Sequence, residues 1–219
     1  VLKGIRKGDW VIIELGHNDN GPYDSGRARA SIPGIGRDSL EVTIKETGEK
    51  ETVYTYGEYM RRFIADVKVR GANPILLSLT PRCAWTDRDS TVVARVDKTF
   101  GLWARQVAQA EGVPFVDLNE ITARKYERFG KDKVKTMFYL DRIHTSEFGA
   151  VCNAESAVEG LRELPGVPLK DYMLTDEVDT VTGASRKPGC PMLFTIGDST
   201  VKNKDTGDDS QWGLSLIHI

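Results

Sequence analysis

The chain has 219 residues, 40% of them hydrophobic, enough to bury one sizeable core and compatible with one or two domains. Thirty Lys and Arg against 32 Asp and Glu leave a formal charge of -2, so no bulk charge draws it to nucleic acid or to an anionic membrane surface. No apolar run approaches the roughly 20 residues of a membrane helix, and Cys83, Cys152 and Cys190 stand far apart without a CxxC pair, which indicates neither a disulfide framework nor a zinc site.

Trp10 to Leu15 (WVIIEL) is a short apolar run that ends at Gly16 and reads as a buried parallel strand. A long insertion follows, Gly21 to Gly57, in which Leu40, Val42 and Ile44 alternate with polar residues before the turn-like ETGEK and then TVYTY, the pattern of a β-hairpin. Tyr56, Met60, Phe63, Ile64 and Val67 recur at steps of three and four, which predicts an amphipathic helix closed by Gly71. Ile75 to Leu79 is the next strand. Val93, Val96, Phe100, Trp103, Val107 and Ala110 form a second helical stripe, ended by Gly112 and followed by the strand Val113 to Leu118.

A last helix spans about Ser146 to Leu164, with Thr145 or Ser146 as N-cap and Cys152 expected to pack in the core. The stretch from Asp171 to Pro188 is polar and reads as a linker, and Met192 to Ile196 starts a further strand. The βαβαβ alternation predicts an α/β fold, a doubly wound parallel sheet with flanking helices, in which ligands sit beyond the carboxyl ends of the strands.

Three short motifs fall at predicted strand ends or loops: Gly16-His17-Asn18-Asp19, Asp141-Arg142-Ile143-His144 and Gly197-Asp198-Ser199-Thr200. Each is weak alone, since GDS often marks a turn or helix cap. Together they supply every role that an ester hydrolase needs. Ser199 is the candidate nucleophile, its own N–H one oxyanion donor; His144 is the general base; Asp141 turns back to fix the imidazole; Asn18 offers a neutral side-chain N–H to the oxyanion. Asp19 is expected to brace its loop.

On these residues the chain resembles the SGNH (GDSL-like) hydrolases, whose first, third and fifth blocks correspond to GDST, GHND and DxxH, and whose catalytic Ser, oxyanion Asn and Asp-His pair map onto Ser199, Asn18, Asp141 and His144. GHNDNGP, the hairpin insertion before TYGEYMRRFI, the SLTPR segment and GVPFVDLNE are similar to rhamnogalacturonan acetylesterases over most of Lys7 to Tyr172, and GDSTVKNKD followed by QWG resembles the start of such a domain. The resemblance implies a secreted or periplasmic carbohydrate esterase that removes acetyl groups from pectic plant cell-wall polysaccharide by a Ser-His-Asp mechanism, without metal or cofactor. It also offers Arg27, Arg29 and Arg37 in the insertion as partners for substrate carboxylates, against the plainer reading of solvated loop charges. The alternatives are an SGNH esterase or lipase acting on other acyl esters, and a non-catalytic carbohydrate-binding module of the same fold.

Two features depart from the family. The GDS block comes last instead of first, and the block whose Gly completes the oxyanion hole has no counterpart. The expected organisation is therefore the end of one esterase domain over 1–172, a linker over 173–190, and the start of a tandem second domain over 191–213, or else a surrogate first strand docked on the first domain. The chain opens at Val1 as if within a longer gene, and its last six residues, 214–219 (LSLIHI), resemble a translated sequencing adapter. A site assembled from these pieces is expected to hydrolyse weakly or not at all.

Overall fold

The computed structural model describes residues 2–26, 30–86, 88–173 and the strand at 193–197. Its centre is a four-stranded parallel sheet. The strands are β1 (Trp10–Glu14), β4 (Asn73–Leu77), β5 (Phe115–Val116) and β6 (Leu193–Gly197), in the order β5-β4-β1-β6. Val11, Ile12 and Ile13 of β1 and Ile75, Leu76 and Leu77 of β4 are at most 2% exposed, as expected of strands covered on both faces.

Alternation along these strands divides the core. Val11, Ile13 and Leu76 face α1 (Tyr56–Val69) and α2 (Phe100–Glu111), which contribute Met60, Ile64, Val67, Ala104 and Val107. Ile12, Ile75, Leu77 and Val116 face the other way, against Leu118 of α3 (Leu118–Phe129) and Ala157 and Leu161 of α5 (Glu147–Arg162). The product is a three-layer α/β sandwich, the predicted fold class. A third cluster, built from Val93, Tyr126, Met137, Phe138 and Cys152, lies between α3, the short α4 (Lys131–Lys135) and α5. Burial pushes the Cys152 thiol up to about 11, so it behaves as a core residue.

The hairpin in the insertion forms as β2 (Ser39–Thr43) and β3 (Lys50–Tyr54), paired antiparallel. It leads directly into α1, whose N-cap Thr55 accepts the N–H of Glu58. Ser146 caps α5 by accepting the N–H of Gly149 at 3.4 Å.

Several boundaries differ from the sequence reading. The second helical stripe does not begin at Val93: α2 starts at Phe100, and Val93 belongs to a small turnback in which Thr86 N–H donates to Val92 O and Ala94 N–H to Ala84 O. The third strand is only Phe115–Val116, because Asp117 already caps α3 by accepting the N–H of Glu120. Strand β4 begins at Asn73 and ends at Leu77, two residues before the predicted Leu79, where Ser78 turns its hydroxyl to Asp117.

Strand β6 lies at the open edge of β1 in parallel register, Trp10 opposite Leu193 and Glu14 opposite Gly197. The pairing runs in register through five residue pairs along β1. It buries a sheet edge that would otherwise present unpaired N–H and C=O groups.

Candidate active site

The carboxyl ends of β1 and β4 run into the two loops that carry the candidate chemistry. Beyond β1, Gly16 takes φ 136°, a left-handed conformation that favours glycine, and a Cβ there would sit 3.1 Å from the Phe100 ring. The turn that follows presents Asn18 to solvent and leaves Asp19 half-buried, its N–H donating to Gly16 O at 3.2 Å. Three successive carbonyls ahead of Asn18 are held: Leu15 O accepts from the Tyr56 hydroxyl at 3.1 Å, Gly16 O from Asp19 N–H, and His17 O from Arg82 Nη2 at 2.8 Å.

Under the turn, His17, Glu14 and Thr80 are each at most 6% exposed. His17 Nε2 lies 3.1 Å from Thr80 Oγ1 and 3.5 Å from Glu14 Oε1, and Glu14 Oε1 accepts the Thr80 N–H at 3.0 Å. These contacts join the loop after β1 to the loop after β4. No motif in the sequence marks Glu14, Thr80 or Arg82 as part of the site. The one local signal was Glu14, a carboxylate closing an otherwise apolar strand.

The second loop lies between Phe138 and Thr145, which are bridged antiparallel. Within it Asp141 does two things. Its Oδ1 accepts the backbone N–H groups of Ile143 and His144 at 2.7 Å each, closing the turn, and its Oδ2 lies 2.6 Å from His144 Nδ1. Burial alone would raise the Asp141 pKa, but the His144 ring, the two backbone N–H groups and the attraction of His144 outweigh it and hold the carboxyl below its usual value. His144 is half-buried and Asp141 exposed at the protein surface.

The loop is seated by α5. Gly149 packs so closely against it that a Cβ would lie 2.2 Å from Met137 O, and Ser146 N–H donates to that same carbonyl at 2.9 Å. Only a residue without a side chain lets the first turn of α5 approach this near.

The two loops share one support. Arg82 donates from its side chain to His17 O, and the next residue, Cys83, donates its backbone N–H to Arg142 O at 2.9 Å. Consecutive residues therefore touch the Asn18 turn and the Asp141-His144 turn. Strand β6 completes the picture on the other side of β1: its last residue, Gly197, stands opposite Glu14, so the chain leaves β6 at the sheet edge that carries Asn18.

Ser199, Arg27 and Arg29 lie outside the described residues. Arg37 is exposed on the insertion, which packs on the start of α1 through Thr55 Oγ1 donating to Gly36 O at 2.6 Å. Among the described residues no three His, Cys, Asp or Glu side chains group as a metal site, and no helix is long and apolar enough to cross a membrane.

The chain is similar to known proteins in sequence and in fold. The sequence profile of the GDSL-like lipase/acylhydrolase family matches residues 2–150. The chain is 30% identical over 175 residues to a rhamnogalacturonan acetylesterase of Emericella nidulans, covering 80% of this chain and 69% of that protein. It is 25% identical over 194 residues to the rhamnogalacturonan acetylesterase RhgT of Bacillus subtilis, covering 81% and 70%. Among solved structures, that of the Bacillus subtilis protein YxiM superposes with a TM-score of 0.55 at 23% identity, over 74% of this chain and 38% of that one, a likeness of fold.

Proposed function

The chain belongs to the GDSL-like lipase/acylhydrolase family of serine ester hydrolases, in its rhamnogalacturonan acetylesterase-like branch, and we propose that its site removes acetyl groups from acetylated pectic polysaccharide of the plant cell wall. The observation that carries this reading is the Asp141-His144 pair, with Nδ1 held by the carboxylate at 2.6 Å so that Nε2 is the nitrogen that takes a proton.

Ser199, two residues past Gly197 in the sequence, is the nucleophile in this reading. His144 Nε2 takes the Ser199 hydroxyl proton as Oγ attacks the acetyl carbonyl. The tetrahedral oxyanion receives N–H groups from Asn18 and from the backbone of Ser199. Collapse expels the sugar oxygen, which leaves with the proton from His144. A water molecule, deprotonated by the same ring, then releases acetate and restores Ser199. Asp141 stays ionised throughout and stabilises the imidazolium. Arg37, with Arg27 and Arg29, serves the uronate carboxylates of a polyanionic substrate. The setting proposed is secreted or periplasmic, where such polysaccharide is met.

The test is acetate release by the chain and its Ser199→Ala and His144→Ala variants on acetylated rhamnogalacturonan, acetylated xylan and an aryl acetate. Turnover lost in both variants and highest on rhamnogalacturonan supports the reading. Equal rates on all three substrates would leave the esterase and remove the pectic specificity. Polysaccharide binding without turnover, also after the missing glycine block is supplied by fusion, would favour a binding module.

A further inference from the structure

Arg82 is exposed to solvent along part of its length, yet its guanidinium reaches back 65 positions in sequence to the carbonyl of His17, immediately before Asn18. The next residue, Cys83, holds Arg142, which lies between Asp141 and His144. Just upstream, Thr80 is fastened to Glu14 by its N–H and to His17 by its hydroxyl. A four-residue segment, Thr80 to Cys83, thus grips both loops of the candidate site and the end of the central strand.

We infer that this segment is the strut that sets the spacing between Asn18 and the Asp141-His144 pair, and that Arg82 and His17 are positioning residues for the oxyanion donor. The inference rests on the reading of Asn18 as that donor. The physical need is clear, because Asn18 sits in an exposed turn with no regular secondary structure of its own, and an oxyanion donor works only when held within a fraction of an ångström of the developing charge. A flexible turn would swing the amide away between encounters. The carbonyls of residues 15, 16 and 17 each have a donor, so the turn has little freedom to do so.

His17 adds to this at a cost. Its Nδ1 is buried and has no hydrogen-bond partner among the described residues, while Nε2 engages Thr80 beside Glu14. A buried polar atom left unpaired lowers stability. An apolar residue would avoid that penalty but would lose the ring's contact with Thr80, leaving the Glu14–Thr80 and Arg82–His17 carbonyl bonds to join the loops.

The experiment compares the full chain with Arg82→Ala and Arg82→Lys, following both acetate release and the 15N–1H signals of Asn18 and His144. Misplacing a catalytic group by about 1 Å costs up to about 100-fold, so Arg82→Ala is expected to lower kcat by roughly 10–100-fold with little change in KM. Arg82→Lys, which keeps one donor, is expected to recover most of that loss. The Asn18 backbone and side-chain amides should move or broaden in Arg82→Ala while those of α1 stay in place, and this readout applies even if the chain turns over too slowly to follow. Unmoved Asn18 and His144 signals, or a general fall in stability with no selective change at Asn18, would overturn the proposal. If instead Ser199→Ala keeps full activity while the Asn18 signals still respond to Arg82, the strut stands and the assigned nucleophile falls.

Discussion

Asp141 meets His144 at two places, with one carboxylate oxygen 2.6 Å from the ring Nδ1 and the other 2.7 Å from the backbone N–H. The same side chain therefore shapes the turn and orients the base, two duties that substitution can separate. An asparagine keeps one acceptor oxygen. If that oxygen stays with the backbone, the amide NH2 faces Nδ1 and selects the wrong tautomer. Asp141→Asn is expected to fold normally and to lose roughly 10³–10⁴ in kcat. A loss under tenfold in steady-state acetate release would remove Asp141 from the orienting role.

The acid–base and electrostatic parts of the site should separate by magnitude. His144→Ala deletes the base proposed to deprotonate Ser199 and is expected to abolish most turnover. Asn18→Ala removes one oxyanion donor and should cost roughly 10²–10³ in kcat with a smaller change in KM. Near-wild-type rates in either variant, measured under saturating substrate, exclude that residue's role.

The depressed pKa of Asp141 gives a pH dependence with a definite sign. A carboxyl whose folded value lies below its unfolded one contributes above the unfolded value, about 3.9, and that contribution is lost as pH falls through the folded value. The Asp141 carboxyl carbon, followed directly by 13C chemical shift, should titrate with a midpoint below about 3.9. A midpoint for that carbon above about 3.9 would contradict the sign of the shift.

Seating of the Asp141-His144 loop depends on Gly149. An alanine there brings a Cβ within 2.2 Å of the Met137 carbonyl, a backbone atom that cannot rotate aside. Overpacking of this kind costs about 1–3 kcal/mol. For a chain of this size the melting temperature should fall by roughly 2–4 °C per kcal/mol. Activity should fall further than stability at temperatures where the variant is fully folded, because α5 and His144 shift together. A melting temperature equal to that of the parent chain would mean that the contact relaxes freely.

What could be read from the sequence followed from whether the signal was local. Strand β1, helix α1 and the β2-β3 hairpin announce themselves by a continuous apolar run, a three-and-four spacing and an alternation within about a dozen residues. Asp141 and His144 are three residues apart, so their partnership was visible as a spacing. Helix α3 was not, because the face it buries is made of Leu118, Asn119, Thr122, Ala123 and Tyr126, mostly polar or small residues satisfied by tertiary contacts such as Tyr126 OH donating to Asn153 Oδ1 at 2.9 Å. Apolar spacing carries on upstream of α2 across Thr99 as far as Val93, although Val93 packs in a different cluster. The support beneath Asn18 joins residues 63 to 66 positions apart, and no pattern along the chain encodes such a meeting.

Strand β6 offers the sharpest test of how the site is assembled. Among the described residues it pairs with β1 alone and occupies the edge of the sheet, from Trp10 opposite Leu193 to Glu14 opposite Gly197. A chain ending at residue 173 would leave that edge of β1 open. An exposed edge strand recruits other chains, so the shortened protein should scatter light at concentrations where the full chain is clear. Its melting temperature should drop by roughly 4–8 °C, corresponding to about 2 kcal/mol. A synthetic peptide of residues 191–213 added in trans should restore the melting temperature in a saturable manner, since ligand binding to the folded state stabilises it by mass action. The same peptide with Ser199→Ala should restore stability equally well but not acetate release, which separates the strand's structural part from the nucleophile's chemical part. If the shortened chain melts at the same temperature and stays monomeric, β6 contributes nothing to the sheet, and delivery of Ser199 by that strand is excluded.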